Sequence, residues 1–308
     1  YPSGSHSGEN LPRPICSQAR SASQIASLKA GQNIKGLPVE MNARQREVLG
    51  VGRTAEILSE GEEKVLKLFY PWVEPEWVNF EFTAAQVAFR NGVPTPQPFK
   101  LVQADGRFGI VFERVRGQTM LATFSRQPWR LPGLIRRLSE LQVGVIHTPG
   151  DGLPPVKRSL EATIQRVIKS GDLPSESGEE IMKRIQKLPD GDALCHMDFH
   201  PDNLIYSGRG WMIIDWMNAR SGSPLADIAR SALIFQIAGP PPGVRARWLL
   251  EWVIRFVHGV YLREVQRMVG FSVDDFKAWL LPVAAARLAE GIPGEREKVV
   301  RLIQSLMV

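Results

Sequence analysis

The fold of this 308-residue chain is decided by two neighbouring segments, Leu194-Cys-His-Met-Asp-Phe-His-Pro-Asp-Asn-Leu-Ile-Tyr206 and Met212-Ile-Ile-Asp-Trp216. Two short apolar runs within them flank a Gly-containing turn, a pattern that predicts a β-hairpin. Asp198 and Asn203 precede the first predicted strand, and Asp215 follows the second. The order of loop, strand, turn, strand and carboxylate therefore brings three oxygen-bearing side chains to one end of a hairpin.

Asp198, Asn203 and Asp215 have the chemistry of a phosphoryl-transfer site. Transfer from a nucleotide needs a carboxylate that orients or deprotonates the acceptor hydroxyl, and oxygen ligands that hold magnesium against the phosphates. Asp198 and Asn203 have four residues between them on a loop that leads into a strand, and Asp215 ends the next strand. The competing interpretation, unrelated polar residues in a loop, explains any one of them but not the spacing and context of all three.

A second signal lies in Leu49-Gly-Val-Gly-Arg-Thr-Ala-Glu56. Glycines let backbone N–H groups approach phosphates closely, and a lysine on a rigid strand reaches phosphate oxygens as a point charge. Lys67 lies in the second strand of a hairpin predicted over 54–69. Because a Gly-x-Gly pair alone usually marks a turn, the prediction depends on its combination with Lys67.

Strand and helix patterns divide the chain into two parts. Strand-like runs with one helix between them, Trp77 to Arg90, precede residue 115, and helical periodicity dominates after Gly117. We therefore predict an N-terminal nucleotide-binding lobe over 38–115 and a C-terminal lobe over 116–308. The first ten residues are rich in Ser, Gly and Pro, so residues 1–37 are predicted to be a disordered or adventitious extension.

Composition excludes several classes of protein. No apolar run reaches the roughly 18 to 20 residues that a membrane span needs, and two distant cysteines form neither a disulfide framework nor a zinc motif. The net charge of +6 is spread along the chain, which favours a solvated surface over nucleic-acid binding. We expect a cytoplasmic protein without membrane or nucleic-acid partners. The tryptophans, Trp248 and Trp252 among them, are expected to pack in the core.

The pattern His-x-Asp-x-x-x-x-Asn, followed about a dozen residues later by Ile-Asp-Trp, resembles the aminoglycoside phosphotransferase and choline kinase-like family, relatives of the protein kinases. The resemblance covers about residues 45–305. It implies an α+β, protein-kinase-like bilobal fold, with a small antiparallel-sheet N-lobe that has one helix and a larger, mainly helical C-lobe. It also implies that Asp198 is the catalytic base, that His196 braces the loop, and that Asn203 and Asp215 hold Mg²⁺. Met197 stands where many family members have Gly.

The same resemblance implies a site for ATP or GTP in the N-lobe. Glu81, on the predicted helix, would pair with Lys67 and hold it in place, with a solvated helix charge as the alternative. The inter-lobe linker would face the base through backbone groups of Glu113 and Val115. The phosphate loop would contain three further residues, Gly50, Gly52 and Thr54.

Two other polar residues are expected to support the catalytic loop. Asp227, three residues after Pro224, is expected to cap or brace it rather than react. His200 precedes Pro201, and we expect a local structural role for it, with a substrate or phosphate contact as the alternative.

The predicted function is a kinase that transfers the γ-phosphate of ATP or GTP to a hydroxyl of a small molecule. A protein-kinase activation segment is missing after Asp215, which argues against peptide substrates. An aminoglycoside-type antibiotic is one candidate acceptor, although residues 221–308 hold eleven Lys or Arg and eight Asp or Glu, without the acidic excess that a polycation needs. A local cluster of Glu290, Glu295 and Glu297 stays open as an alternative. Choline, a sugar, homoserine and a macrolide stay open, as does a nucleotide-binding pseudokinase scaffold.

Overall fold

The computed structural model describes residues 39–40, 46–239, 247–292 and 294–308. The extension predicted over residues 1–37 lies outside these ranges. The N-terminal part of the described chain is built on six strands: β1 (Val39–Glu40), β2 (Val48–Val51), β3 (Ala55–Ser59), β4 (Lys64–Phe69), β5 (Pro98–Ala104) and β6 (Arg107–Glu113). They form one sheet in the order β1-β5-β6-β4-β3-β2. Every neighbouring pair is antiparallel except β1 with β5.

Alternation along β4 places its side chains on two faces of the sheet. Leu66 and Leu68 are buried with apolar residues of β3, β5 and β6 on one face. Lys67 and Phe69 point to the other face, where Phe69 packs with residues of helix α1 (Pro75–Arg90). The strand therefore presents Lys67 to the helix-covered face of the sheet.

Helix α1 is delimited by local sequence signals. Pro75 occupies its first turn, where the missing N–H costs nothing. It ends before Asn91-Gly92, and Gly92 has a φ of 77°, a conformation in which glycine carries no Cβ penalty. Val78 and Phe82 pack against the sheet, and Glu81 lies on the helix between them, buried at 1% exposure.

The connector after α1 fastens the sheet to the rest of the molecule. Thr95 donates a hydrogen bond to the carbonyl of Ile213 (2.8 Å) and accepts one from the Trp216 indole (2.9 Å). The Ile213 N–H donates to Pro94 O (2.7 Å). Because these residues flank Asp215, the connector fixes that carboxylate relative to the sheet.

The C-terminal part is mainly helical. Its helices are α2 (Met120–Arg126), α3 (Leu131–Ile146), α4 (Val156–Lys169), α5 (Ser175–Lys187), α6 (Pro224–Ile237), α7 (Arg247–Val269), α8 (Val273–Arg287) and α9 (Arg296–Met307). They enclose one large apolar core that also includes residues of α1. None of the described helices is both long enough and apolar enough to cross a bilayer.

Two small sheets hold the loop of residues 196–203. Strands β7 (Gln118–Thr119), β9 (Leu204–Ser207) and β10 (Gly210–Ile213) form one, and β8 (Ala193–Cys195) pairs antiparallel with β11 (Arg220–Gly222) in the other. The backbones of Gly117 and Tyr206 approach so closely that a Cβ on Gly117 would lie 1.9 Å from Tyr206 O. The predicted hairpin is therefore present, and residues 196–203 are anchored on both sides.

The α+β fold class is confirmed: a largely antiparallel sheet with one helix precedes a mainly helical part. The strand-like region was predicted to begin at Val48, where β2 begins, whereas β1, β7, β8, β11 and α2, all of them short, were not predicted. The expectation that the tryptophans pack in the core was wrong for four of them, whereas Trp216 and Trp279 are buried; the exposed four are Trp72 (47%), Trp129 (75%), Trp248 (72%) and Trp252 (55%).

Candidate functional site

A cleft of about 3830 Å³ runs between the sheet and the helices. The β2–β3 turn, Lys67, the linker after β6 and the loop that carries Asp198 all contribute to its lining, as does Asp215. The structure thus gathers the residues singled out in the sequence around one concave surface, the usual setting for a small-molecule site.

Lys67 lies between two carboxylates at the centre of the cleft. Its Nζ donates to Glu81 Oε1 at 2.6 Å and to Asp215 Oδ1 at 3.0 Å. Burial by itself lowers the pKa of Lys67, but the charges of Asp215 and Glu81 outweigh it and hold that pKa above its usual range. The ammonium is therefore charged at every working pH, in a position to meet phosphate oxygens.

Burial raises the pKa of Glu81 to about 7, against the opposing charge of Lys67. Its second oxygen, Oε2, is buried without a hydrogen-bond partner among the described residues. The charge of Lys67 is the main interaction that stabilises the ionised form of this poorly solvated carboxylate. The ion pair is therefore complete only above neutral pH.

The β2–β3 turn lines the cleft and is closed by a backbone hydrogen bond. The Gly52 N–H donates to Ala55 O at 2.8 Å, and a Cβ on Gly52 would lie 3.3 Å from that oxygen. Gly50 belongs to β2, and Thr54 O accepts from the Tyr70 N–H at 2.9 Å, which ties the turn to the end of β4.

The linker residues predicted to face the base also border the cleft. Glu113 ends β6, and its N–H donates to Gln97 O at 2.9 Å, so the sheet already uses that donor. Val115 lies beyond the strand and lines the cleft. The interpretation as a base-facing linker therefore relies on the Glu113 carbonyl and the Val115 backbone rather than on the Glu113 N–H.

His196 is fully buried and bonded on both ring nitrogens. Its Nδ1 accepts from the Asp198 N–H at 3.3 Å, so its proton lies on Nε2, 3.1 Å from Ile214 O. Burial lowers the pKa of His196 and keeps the ring neutral. These contacts join the loop to the strand end before Asp215, which is the geometry of a bracing residue.

Met197 adopts a backbone conformation that favours glycine, with a φ of 60°. Its N–H donates to Asp227 Oδ1 at 2.6 Å, and its carbonyl accepts from Arg230 Nε at 3.1 Å. Burial raises the pKa of Asp227, while hydrogen bonds from Gln142 and from Met197 favour its ionised form. The expected bracing role of Asp227 is therefore confirmed, and α6 holds the loop in its strained path.

Asp198 faces the cleft with two basic neighbours. His200 Nδ1 accepts from the Asp202 N–H, and its Nε2 lies 3.5 Å from Asp198 Oδ2 and 3.2 Å from Asn203 Nδ2. Arg230 Nη2 is 3.9 Å from Asp198 Oδ1. Burial by itself raises the pKa of Asp198, but the His200 hydrogen bond and the Arg230 charge outweigh it and hold that pKa well below its usual range.

Asn203 and Asp215 suit a magnesium ion that is shared with a nucleotide. The Asn203 Nδ2 group donates to Asp198 O at 2.9 Å, which leaves its oxygen as the atom able to ligate a metal. No group of three or more His, Cys, Asp or Glu side chains able to hold a metal occurs in the described part of the chain. Magnesium typically takes one or two protein oxygens and completes its shell with phosphates and water, so this donor set fits.

Arg230 and Arg287 were given no role in the sequence analysis, and Glu290 was considered there only as one of three carboxylates that could cluster. Glu290 accepts from Arg230 Nη2 (2.5 Å) and from Arg287 Nη1 (2.6 Å). Arg230 and Glu290 are 60 residues apart, and no local pattern marks either. The chain of contacts from Glu290 through Arg230 reaches Asp198.

Comparisons with known proteins agree with this geometry. The profile of the family described as phosphotransferase enzyme family (APH) matches residues 52–268, more than half of the chain. No curated protein matches the chain. Among solved structures of similar fold is a thermostable mutant of aminoglycoside phosphotransferase APH(4)-Ia in a ternary complex with ADP and hygromycin B. Its TM-score is 0.57 at 14% identity, with 84% of this chain and 94% of that one covered.

Two further structures show the same fold. An aminoglycoside-3'-phosphotransferase of type VIII has a TM-score of 0.53 at 18% identity, over 79% of this chain and 90% of that one. The amicoumacin kinase hAmiN in complex with AMP-PNP, Ca²⁺ and Ami has a TM-score of 0.55 at 14% identity, over 88% of this chain and 90% of that one. The protein-kinase-like fold expected from the sequence is confirmed, and the chain belongs to the phosphotransferase enzyme family.

Proposed function

We propose that this enzyme transfers the γ-phosphate of ATP or GTP to a hydroxyl group of a small molecule. The observation that carries the proposal is the arrangement of Lys67 against Glu81 and Asp215, in one cleft with Asp198 and Asn203. Phosphoryl transfer relies on positioning and charge stabilisation more than on covalent chemistry, and these residues supply both.

Each residue has a distinct proposed role at the nucleotide. The turn containing Gly50, Gly52 and Thr54 would cover the phosphates, and Lys67 would bind their oxygens. Glu81 would hold Lys67 in place, and the linker at Glu113 and Val115 would contact the base through its backbone. Asn203 and Asp215 would hold Mg²⁺, which when bound neutralises charge on the transferred phosphate.

Asp198 is the proposed base. Because its pKa lies well below the usual range, it is ionised whenever an acceptor binds. An ionised carboxylate accepts a hydrogen bond from the acceptor hydroxyl and directs its oxygen at phosphorus. The O–H proton passes to Asp198 as the new P–O bond forms and the bond to the leaving diphosphate breaks, so a weak base suffices for a late proton transfer.

Replacement of the carboxylate tests the proposal. In Asp198→Asn, kcat is expected to fall by about a hundredfold or more, while AMP-PNP affinity stays within about twofold. Asp202→Asn is the matched control, because Asp202 is an exposed carboxylate of the same loop with no proposed role. Equal activity of both variants would contradict the assignment of the base.

A panel of hydroxyl compounds, offered with ATP and with GTP, tests the wider reaction. Acceptors of the structural relatives, hygromycin B among them, belong on it beside choline, sugars, homoserine and macrolides. Nucleotide binding without transfer to any panel member would instead favour a pseudokinase scaffold.

A further inference from the structure

Three exposed aromatic residues follow one face of α7. Trp248, Trp252 and Phe256 are spaced by four residues and are 72%, 55% and 36% exposed. Trp252 and Phe256 stack on each other, with ring centroids 5.6 Å apart and planes at 11°. Both line the cleft that contains Asp198, whereas Trp248 does not. Solvent-exposed aromatic side chains that line a concave cleft are typical of a ligand-binding surface.

Other apolar residues lie elsewhere along the same cleft. Leu121 and Phe124 of α2, and Trp129 after it, also line the cleft. Leu121 and Trp129 are 47% and 75% exposed. A molecule that covers these side chains together with the α7 pair would remove a large apolar area from water, and the free energy of binding scales with that area.

The charges of the surrounding wall are the second observation. We define the acceptor wall as the cleft-lining residues of α4 with the turn to residue 172, of α7, and of 286–292. Two carboxylates lie on it, and both are paired: Glu290 with Arg230 and Arg287, and Asp172 with Arg296. A polycation bound here would find no carboxylate of the wall without a cationic partner already in place.

Cationic side chains outnumber carboxylates on the acceptor wall itself, with Arg166, Lys169 and Arg287 against Asp172 and Glu290. The adjoining part of the cleft is lined by Arg220 and also by three carboxylates, Asp198, Asp202 and Asp215. No carboxylate among the described residues forms an ion pair with Arg220, whose guanidinium instead bonds Ser159 Oγ (2.8 Å) and stacks over Phe80. Bringing amines into this field would add like-charge repulsion to their desolvation cost.

We infer that the acceptor is a hydroxyl-bearing molecule with a broad apolar face and no net positive charge, held against Trp252 and Phe256. The inference rests on the proposed phosphotransfer and narrows its substrate class. The inferred specificity differs from that of the structural relative that binds hygromycin B. The exposed aromatic side chains and the paired carboxylates of the acceptor wall disfavour the binding of an aminoglycoside.

The test uses the full-length protein saturated with AMP-PNP and Mg²⁺. Anilinonaphthalene sulfonate, an aromatic monoanion, is titrated and its fluorescence recorded. We expect the double variant Trp252→Ala/Phe256→Ala to raise its Kd by about tenfold, the loss expected for two aromatic contacts. Trp248→Ala is the matched control, since Trp248 lies on the same helix outside the cleft, and its Kd should stay within about twofold.

Competition distinguishes acceptor chemistries. Nitrophenyl glucoside, an uncharged aromatic compound with hydroxyl groups, should displace the dye, and hygromycin B at the same concentration should not. Displacement or phosphorylation by hygromycin B in preference to the glucoside would overturn the inference, as would equal dye affinity in the double variant and the Trp248→Ala control. AMP-PNP affinity is measured separately, so that failure of the nucleotide site, which would refute the proposed function, is distinguished from failure of the acceptor assignment.

Discussion

Met197 provides a quantitative test of backbone strain in the catalytic loop. Its φ of 60° costs a residue with a Cβ roughly 1–2 kcal/mol relative to glycine. At an ordinary position a glycine lowers the free energy of unfolding by roughly 0.5–1 kcal/mol relative to alanine, because it loses more conformational entropy on folding. At this position the strain outweighs that entropy, so Met197→Gly should be more stable than Met197→Ala by about 0.5–1 kcal/mol.

The comparison isolates the backbone because both variants lose the same buried side chain, which is 9% exposed. Each should therefore be less stable than the natural chain, by roughly 2 kcal/mol or more for the alanine variant. The free energy of unfolding is measured by urea denaturation followed by tryptophan fluorescence, at a pH where both variants are folded.

Met212 supplies the matched control. It lies in β10 and is not among the described residues with positive φ. At this position Met212→Ala should have a larger free energy of unfolding than Met212→Gly, by about 0.5–1 kcal/mol, because glycine loses more conformational freedom than alanine on folding. If Met197→Ala equals or exceeds Met197→Gly in stability, the loop does not hold the strained conformation and the reasoning fails.

Three further predictions concern the supporting contacts. Because burial raises the pKa of Glu81 to about 7, its pairing with Lys67 should make kcat/KM for ATP rise between pH 6 and pH 8, and Glu81→Gln should abolish that rise in a pH–rate profile. The raised pKa of Glu81 also adds to the free energy of unfolding at low pH. This contribution is complete below about pH 4.5 and disappears as the pH rises through 7, which urea denaturation at a series of pH values would show. Asp227→Ala leaves the buried Met197 N–H without its acceptor and should lower the free energy of unfolding by about 2–4 kcal/mol; a loss below 0.5 kcal/mol would refute the bracing role. Arg230→Met should lower kcat by about tenfold with unchanged AMP-PNP affinity, and Arg230→Lys should recover part of the loss; unchanged kcat in Arg230→Met would remove Arg230 from the positioning network.

The contacts made within the loop could be anticipated from the sequence, whereas those made across the fold could not. Asp198 and Asn203 are five residues apart and must share a loop, so their proximity follows from chain connectivity. The Arg230 contacts with Glu290 and Asp198 depend on how α6 packs beside the loop and on where the segment after α8 returns. The exposure of Trp252 was mistaken for burial because a helical spacing of aromatic residues is the same whether the face meets the core or a cleft.

The sequence by itself predicted the phosphotransferase family: its motif spacing specifies a loop, a hairpin and a following carboxylate, and these features are local because the residues are close along the chain. Tertiary structure alone decided how Lys67 comes within 3.0 Å of Asp215 across 148 residues. It also decided that Met197 takes a positive φ and that the acceptor wall combines stacked aromatics with paired carboxylates. These features result from the packing of the sheet, α6 and α7 around one cleft, and side chains distant in sequence acquire a shared environment only when the apolar core brings their elements together.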